Sequence, residues 1–294
     1  MNSYDDLLNN TPTDGQNSQL SKEEYAAMKQ TERDGLYALS DQTAQEVAGD
    51  GGKFQQFLNA QGKFLRYSAV NILLIMTQKP DATRLGDFDY WKSQGGFVKR
   101  EQTGIAILEP HEYTKEDGTT GIGYNIKKVF DISQVDARRM KITPPPSSDD
   151  RQLLRALIHK APMKISGVEE LPGDLGAMTN PETGEITVRK GMEFTDTFRS
   201  VSMELAAAVL SDSPNTQADP LFSAYCASYL LCTKNGVDTR GFNFADAPSV
   251  FGGLDAQGVK GELQQIRDAA NDISGRMAKQ LDAVQKAAKT QEAR

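Results

Sequence analysis

Phe194-Thr-Asp-Thr-Phe-Arg-Ser-Val-Ser-Met-Glu-Leu-Ala-Ala-Ala-Val-Leu210 decides how the second half of this 294-residue chain is built. Phe194, Phe198, Val201, Leu205 and Val209 recur at steps of three and four, the apolar stripe of a helix packed on a core. Met203, Ala207 and Leu210 make a second stripe, so the helix is expected to be sandwiched. The preceding Gly176–Gly191 reads as strand, Pro-x-x-Gly turn and strand. A hairpin followed by a buried helix is the setting in which His-Glu-x-x-His holds zinc. There two imidazoles four residues apart share one face, and the Glu activates the metal-bound water. Here the same register reads Met203-Glu204-Leu205-Ala206-Ala207, so the carboxylate is present and both imidazoles are replaced.

Working toward the N-terminus, Lys141-Ile-Thr-Pro-Pro-Pro-Ser-Ser-Asp-Asp150 reads as a stiff linker between two composition regimes. From Lys53 to Lys141 there are 14 Lys/Arg against 10 Asp/Glu, a local +4. The totals of 33 and 40 leave 19 against 30 elsewhere, or −11. A mildly basic module inside an acidic chain is compatible with phosphate binding, while the overall −7 argues against indiscriminate coating of nucleic acid. No apolar run is long enough for a membrane span, and Met1–Asn10 has neither the basic start nor the apolar core of a secretory signal. Cys226 and Cys232, on one expected helix, point different ways and are expected to stay reduced, in keeping with a cytoplasmic setting.

The expected elements follow local signals. Residues 1–20 read as a disordered arm. Ser21-Lys-Glu-Glu24 is a capping box opening a helix to about Val47, interrupted near Gly35. Asp50-Gly-Gly breaks it, a second amphipathic helix carries Phe54, Phe57, Leu58, Phe64 and Leu65, and Ser68 caps a third that runs to Gln78. Phe88–Gln94 is a short helix with the sole tryptophan. Phe97–Arg100 is a tight turn leading into the apolar strand Thr103–Leu108. His111–Gly123 is a hairpin-tip loop, and Tyr124–Ile132 is the returning strand. Asp219-Pro220 and Gly236 bracket another helix, and a long amphipathic helix occupies the C-terminus. The length allows two domains with separate cores.

Arg66-Tyr67-Ser68-x-x-Asn71-x-x-Leu74-Ile75-x-x-Gln78-x-Pro80-x-Ala82-Thr83 resembles the N-terminal domain of ArdC-type antirestriction proteins and their Gram-positive mobile-element relatives. The likeness continues through Phe88-x-x-Trp91, Gly96-x-Val98-Lys99, Gly104-Ile105-x-Ile107-Leu108-x-Pro110 and Val129-Phe130-Asp131-Ile132-Ser133-Gln134. It implies an α+β protein with N-terminal helices and a small antiparallel sheet over residues 21–141, and a linker at 142–149. A zincin-like helix-and-hairpin domain at 150–250 follows, then a C-terminal helix at 251–294. It also implies single-stranded DNA as a partner. The family's metal ligands fall on Met203, Ala207 and at or beside Tyr225, and its catalytic Glu falls on Glu204. With those replacements the expectation is a pseudopeptidase without metal or cofactor.

For several residues two readings stand side by side. Tyr67 and Asn71 either stack on a base and bond its edge, or Tyr67 packs the helix junction while Asn71 caps or bonds a neighbouring loop. Trp91 either stacks a base or fills core, the commoner fate of a tryptophan beside Phe88 and Tyr90. Arg66, Lys92, Lys99, Arg100, Lys127 and Lys128 either contact phosphates or form a solvated face. Glu204 is expected to bond nearby backbone. The leading function is a non-catalytic single-stranded-DNA binder of a mobile element or phage. The alternative is a protein–protein adaptor whose acidic second half docks on a host or element protein.

Overall fold

The computed structural model describes residues 21–115, 117–140, 148–180, 182–211 and 217–292. The expected arm at 1–20 and residues 141–147 of the expected linker lie outside the described residues.

Ser21 opens α1 (Lys22–Ala48) with the reciprocal capping box its sequence announces: its hydroxyl accepts from the Glu24 N–H, and its own N–H donates to the Glu24 carboxylate. The helix runs through Gly35 unbroken, contrary to expectation. One glycine costs a helix only about 1 kcal/mol, and the buried face from Leu36 to Ala48 offsets it. Asp50 caps α2 (Gly51–Lys63) and Ser68 caps α3 (Ala69–Gln78), each accepting from the N–H three residues on. Gly51 has to be glycine, because a Cβ there would sit 2.5 Å from the Phe244 carbonyl oxygen.

Two short elements, β1 (Leu85–Gly86) and α4 (Phe88–Ser93), lead to β2 (Phe97–Val98). The long hairpin of β3 (Ile105–Thr114) and β4 (Thr120–Asp131) follows, then β5 (Val135–Asp136). Two expectations fail here. Phe97–Val98 is not part of a turn into β3; it pairs antiparallel with β5, and the Lys99 N–H extends that pairing to the Gln134 carbonyl. The His111–Gly123 segment is mostly strand, and the reversal is confined to residues 115–119. Gly121 and Gly123 are compatible with strand because a ring covers each from across the ladder. A Cβ at Gly121 would meet the Tyr113 ring at 2.7 Å, and one at Gly123 would meet His111 at 2.6 Å.

In the second half, α5 (Asp150–Ile158) precedes a mixed sheet of order β6-β8-β7. There β7 (Ala177–Thr179) and β8 (Ile186–Arg189) form the expected hairpin, and β6 (Ile165–Val168) lies parallel to β8. The helix α6 (Phe194–Ser211) buries Phe198, Val201, Leu205 and Leu210, with Met203 and Ala207 half-buried against the core. Next comes α7 (Pro220–Asn235), capped by Asp219 and closed by Gly236 at φ 70°. After α8 (Ala247–Phe251), the 37-residue α9 (Ala256–Glu292) packs against α1, α3, α5, α6 and α7.

The two halves do not keep separate cores. Buried residues from Ala44 to Met277 form one cluster. Phe54 of α2 sits among Phe222, Phe244 and Phe251, at ring separations of 5.9, 5.8 and 5.2 Å. Aromatic burial of this kind is worth too much to leave two faces apart.

Candidate nucleic-acid interface and the Met203–Ala207 register

The sheet of β1, β4 and β3 ends on β3, so the outward N–H and C=O groups of that strand need partners. Helix α3 supplies them from two amide side chains placed two turns apart. Asn71 donates from Nδ2 to the Leu108 carbonyl (2.9 Å) and accepts the Leu108 N–H on Oδ1 (2.8 Å). Gln78 does the same for Ala106, with both bonds at 2.9 Å. At the other end of the hairpin Asp131 is buried and accepts from the N–H groups of Thr83, Arg84 and Ser133. Burial pushes its carboxyl up, but those bonds outweigh burial and hold it down at about 2. Trp91 is fully buried, and its indole N–H donates to the Phe130 carbonyl at 3.0 Å.

These contacts correct part of the expected binding set. The Asn71 amide is committed to Leu108, and Trp91 has no face free for a base. Lys127 is held between Asp87 (2.9 Å) and Glu109 (2.7 Å); its bonds to Glu109 and then Asp87 raise its pKa. Lys128, the next residue along β4, faces the opposite side of the ladder and lies 4.0 Å from Glu32. The two lysines therefore do not form one patch. Lys92, Lys99 and Arg100 are exposed, and Lys99 donates to the Ser133 carbonyl at 2.9 Å.

Arg66 and Tyr67 do converge. They lie at the α2–α3 junction on a groove of about 750 Å³, a size within the usual range for ligand sites. Its other edges come from Tyr37 of α1, Leu108 to Pro110 of β3, Tyr124 of β4, and the stripe from Gln257 to Arg267 of α9. The Arg66 guanidinium lies 4.9 Å over the Tyr67 ring and donates to the Leu85 carbonyl at 2.7 Å. Three cations and one carboxylate line the groove. Lys260 is paired with Asp41 and Arg267 with Asp268, which leaves Arg66 as the exposed positive group. Tyr37, Tyr124 and the α9 residues escaped sequence reasoning. The one available signal was polar spacing on α9 at 257, 260, 264 and 267, which reads equally as a solvated face.

In the Met203–Ala207 register, Glu204 accepts on Oε2 from the Thr179 N–H (3.0 Å) and hydroxyl (2.6 Å), as expected of a carboxylate bonding nearby backbone. The Tyr225 hydroxyl accepts from the Asn243 N–H at 2.8 Å, and burial raises its pKa. A pocket of about 130 Å³ is left between Arg199, Met203, Tyr225 and Phe242. Arg199, one turn before Met203, donates from Nε to the Asp238 carbonyl and lies 5.3 Å over the Phe242 ring. A thioether, a methyl, a phenol and a permanent positive charge are a poor donor set for a divalent cation. Among the described residues no group of three or more His, Cys, Asp or Glu side chains is placed to hold a metal. His111 and His159 sit on β3 and at the end of α5, away from this register.

Comparison with known proteins gives the following. Residues 36–142 match the family model described as the N-terminal domain of anti-restriction factor ArdC. No curated protein matches the sequence. The chain is similar to the metal-free crystal structure of the antirestriction protein ArdC from plasmid R388, with 16% identity and a TM-score of 0.47 over 72% of this chain and 86% of that one. The Mn(II)-bound structure of the same protein gives 15%, 0.47, 72% and 85%. Over residues 36–142, therefore, the chain carries a segment similar to the N-terminal domain of anti-restriction factor ArdC.

Proposed function

We propose that this is a non-catalytic antirestriction protein of a mobile element or phage that acts by binding single-stranded DNA. The observation that carries the reading is the groove in which Arg66, Tyr67, Tyr124 and Tyr37 meet, a cation among aromatic rings. Every base has a π-face, so tyrosines at such a site bind unpaired bases with little sequence preference. Lys99 and Arg100, exposed on the same half, are two further cations open to phosphates. The test is fluorescence anisotropy with single- and double-stranded oligonucleotides at two salt concentrations. If Arg66, Lys99 and Arg100 neutralise three phosphates, a fourfold rise in salt weakens single-strand binding roughly 20-fold. Changing Lys99 and Arg100 to Glu lowers affinity further. No binding at low salt overturns the reading.

The proposal includes a second half that keeps a peptidase-like scaffold without hydrolysis. Its support is that Glu204 is spent on Thr179 and that the neighbouring positions carry no metal donors. Stoichiometric zinc or manganese in the purified protein overturns this part.

A further inference from the structure

We propose that α9 forms the second wall of the single-strand groove, so that the site is a composite of the ArdC-type domain and a C-terminal helix lying outside it. The inference rests on the single-strand reading above. The family match ends at residue 142, yet Gln257, Lys260, Gly261, Gln264 and Arg267 all border the groove. Their spacing puts them on one face of the helix. The opposite face is fixed by burial of Val259, Leu263, Ile266 and Ala270, so α9 is not free to rotate. Three polar side chains also clip the groove face in place. Arg267 donates to the Leu65 and Arg66 carbonyls at 2.9 and 2.8 Å, the Gln264 side-chain Oε1 accepts the Ala69 N–H at 2.9 Å, and Lys260 pairs with Asp41. The backbone on either side of Tyr67, at Leu65–Arg66 and at Ala69, is thus held directly by the helix that faces it.

Within this wall, Gln257 and Gly261 are the positions not committed to the fold. Gln257 is exposed and its side chain has no partner among the described residues, so its amide is free to bond a base edge. Gly261 is exposed, and a Cβ built on it meets nothing within 4 Å. The open width of the groove at that point depends on the missing side chain. An unpaired strand would then stack its bases against Tyr67 and Tyr124 and turn their edges toward Gln257.

The test measures the affinity of a fluorescent oligothymidine for the full chain and its variants. Gly261→Trp introduces its bulk at a position whose Cβ has open space and is expected to weaken binding at least 10-fold. Gln257→Ala is expected to weaken it severalfold. Gly261→Ala, and Gly275→Trp on the same helix, are expected to stay within twofold, since Gly275 is equally open and lies outside the groove. Gln257→Trp serves as a second blocking variant if Gly261→Trp does not fold by circular dichroism. Wild-type affinity in the blocking variants overturns the composite site while leaving the single-strand reading in place. Failure of the unmodified protein to bind removes that reading and this inference with it.

Discussion

Replacing Asn71 with Ala separates a scaffold residue from a base-reading one. The amide is buried and makes both of its strong bonds to one residue, Leu108, on the edge strand of the sheet. Truncation leaves a backbone donor and a backbone acceptor without partners, and each such loss costs about 1–3 kcal/mol when the group stays buried. Leu108 also borders the groove, so water can reach the exposed groups in the variant and the total is expected at about 2–4 kcal/mol. Gln78→Ala removes the equivalent pair at Ala106, and the double variant should depart from additivity because both amides hold the same strand. Urea unfolding is well suited to the measurement, since the only tryptophan, Trp91, is fully buried and reports the transition. Hydrogen exchange at the Leu108 amide should accelerate in parallel. A loss below about 0.5 kcal/mol together with a 10-fold fall in single-strand affinity would refute the scaffold assignment.

Asp131 should shape the acid limb of stability. Its folded pKa of about 2 lies below the ordinary 3.8, so the stabilisation is fully present above about pH 4 and is lost as pH falls toward 2. The shift corresponds to about 2 kcal/mol, and Asp131→Asn should lower stability at pH 7 and flatten the dependence between pH 4 and 2 in denaturant titrations. Cys226 and Cys232 are fully buried, and burial raises both thiols, that of Cys232 to about 12. Neither should react with a thiol reagent at pH 8 until the protein is unfolded, and rapid native-state labelling would contradict their burial.

How much was legible follows from how far apart the interacting residues are. Caps were readable because a cap and its target lie two or three residues apart: Ser21 with Glu24, Ser68 with Asn71, and Asp219 with Leu221. The stripe on α6 was readable because helical period is local. That Met203 and Ala207 stand where a His-Glu-x-x-His register would put its imidazoles is likewise read from the sequence alone. Pairing was not local and was misread. Gly121 and Gly123 signal a loop until the rings of Tyr113 and His111 are known to cover them from the other strand. Asn71 and Gln78 are family-motif residues whose polarity invites a ligand, and only the placement of β3 against α3 shows them bonding Ala106 and Leu108. The largest gap is the groove, which joins Arg66 to Arg267 across two hundred residues of chain. Sequence set the period, the caps and the residues of the Met203–Ala207 register, because each is a property of neighbours. Which polar groups were consumed inside the fold and which were left facing a cleft depended on contacts made only when distant segments packed together.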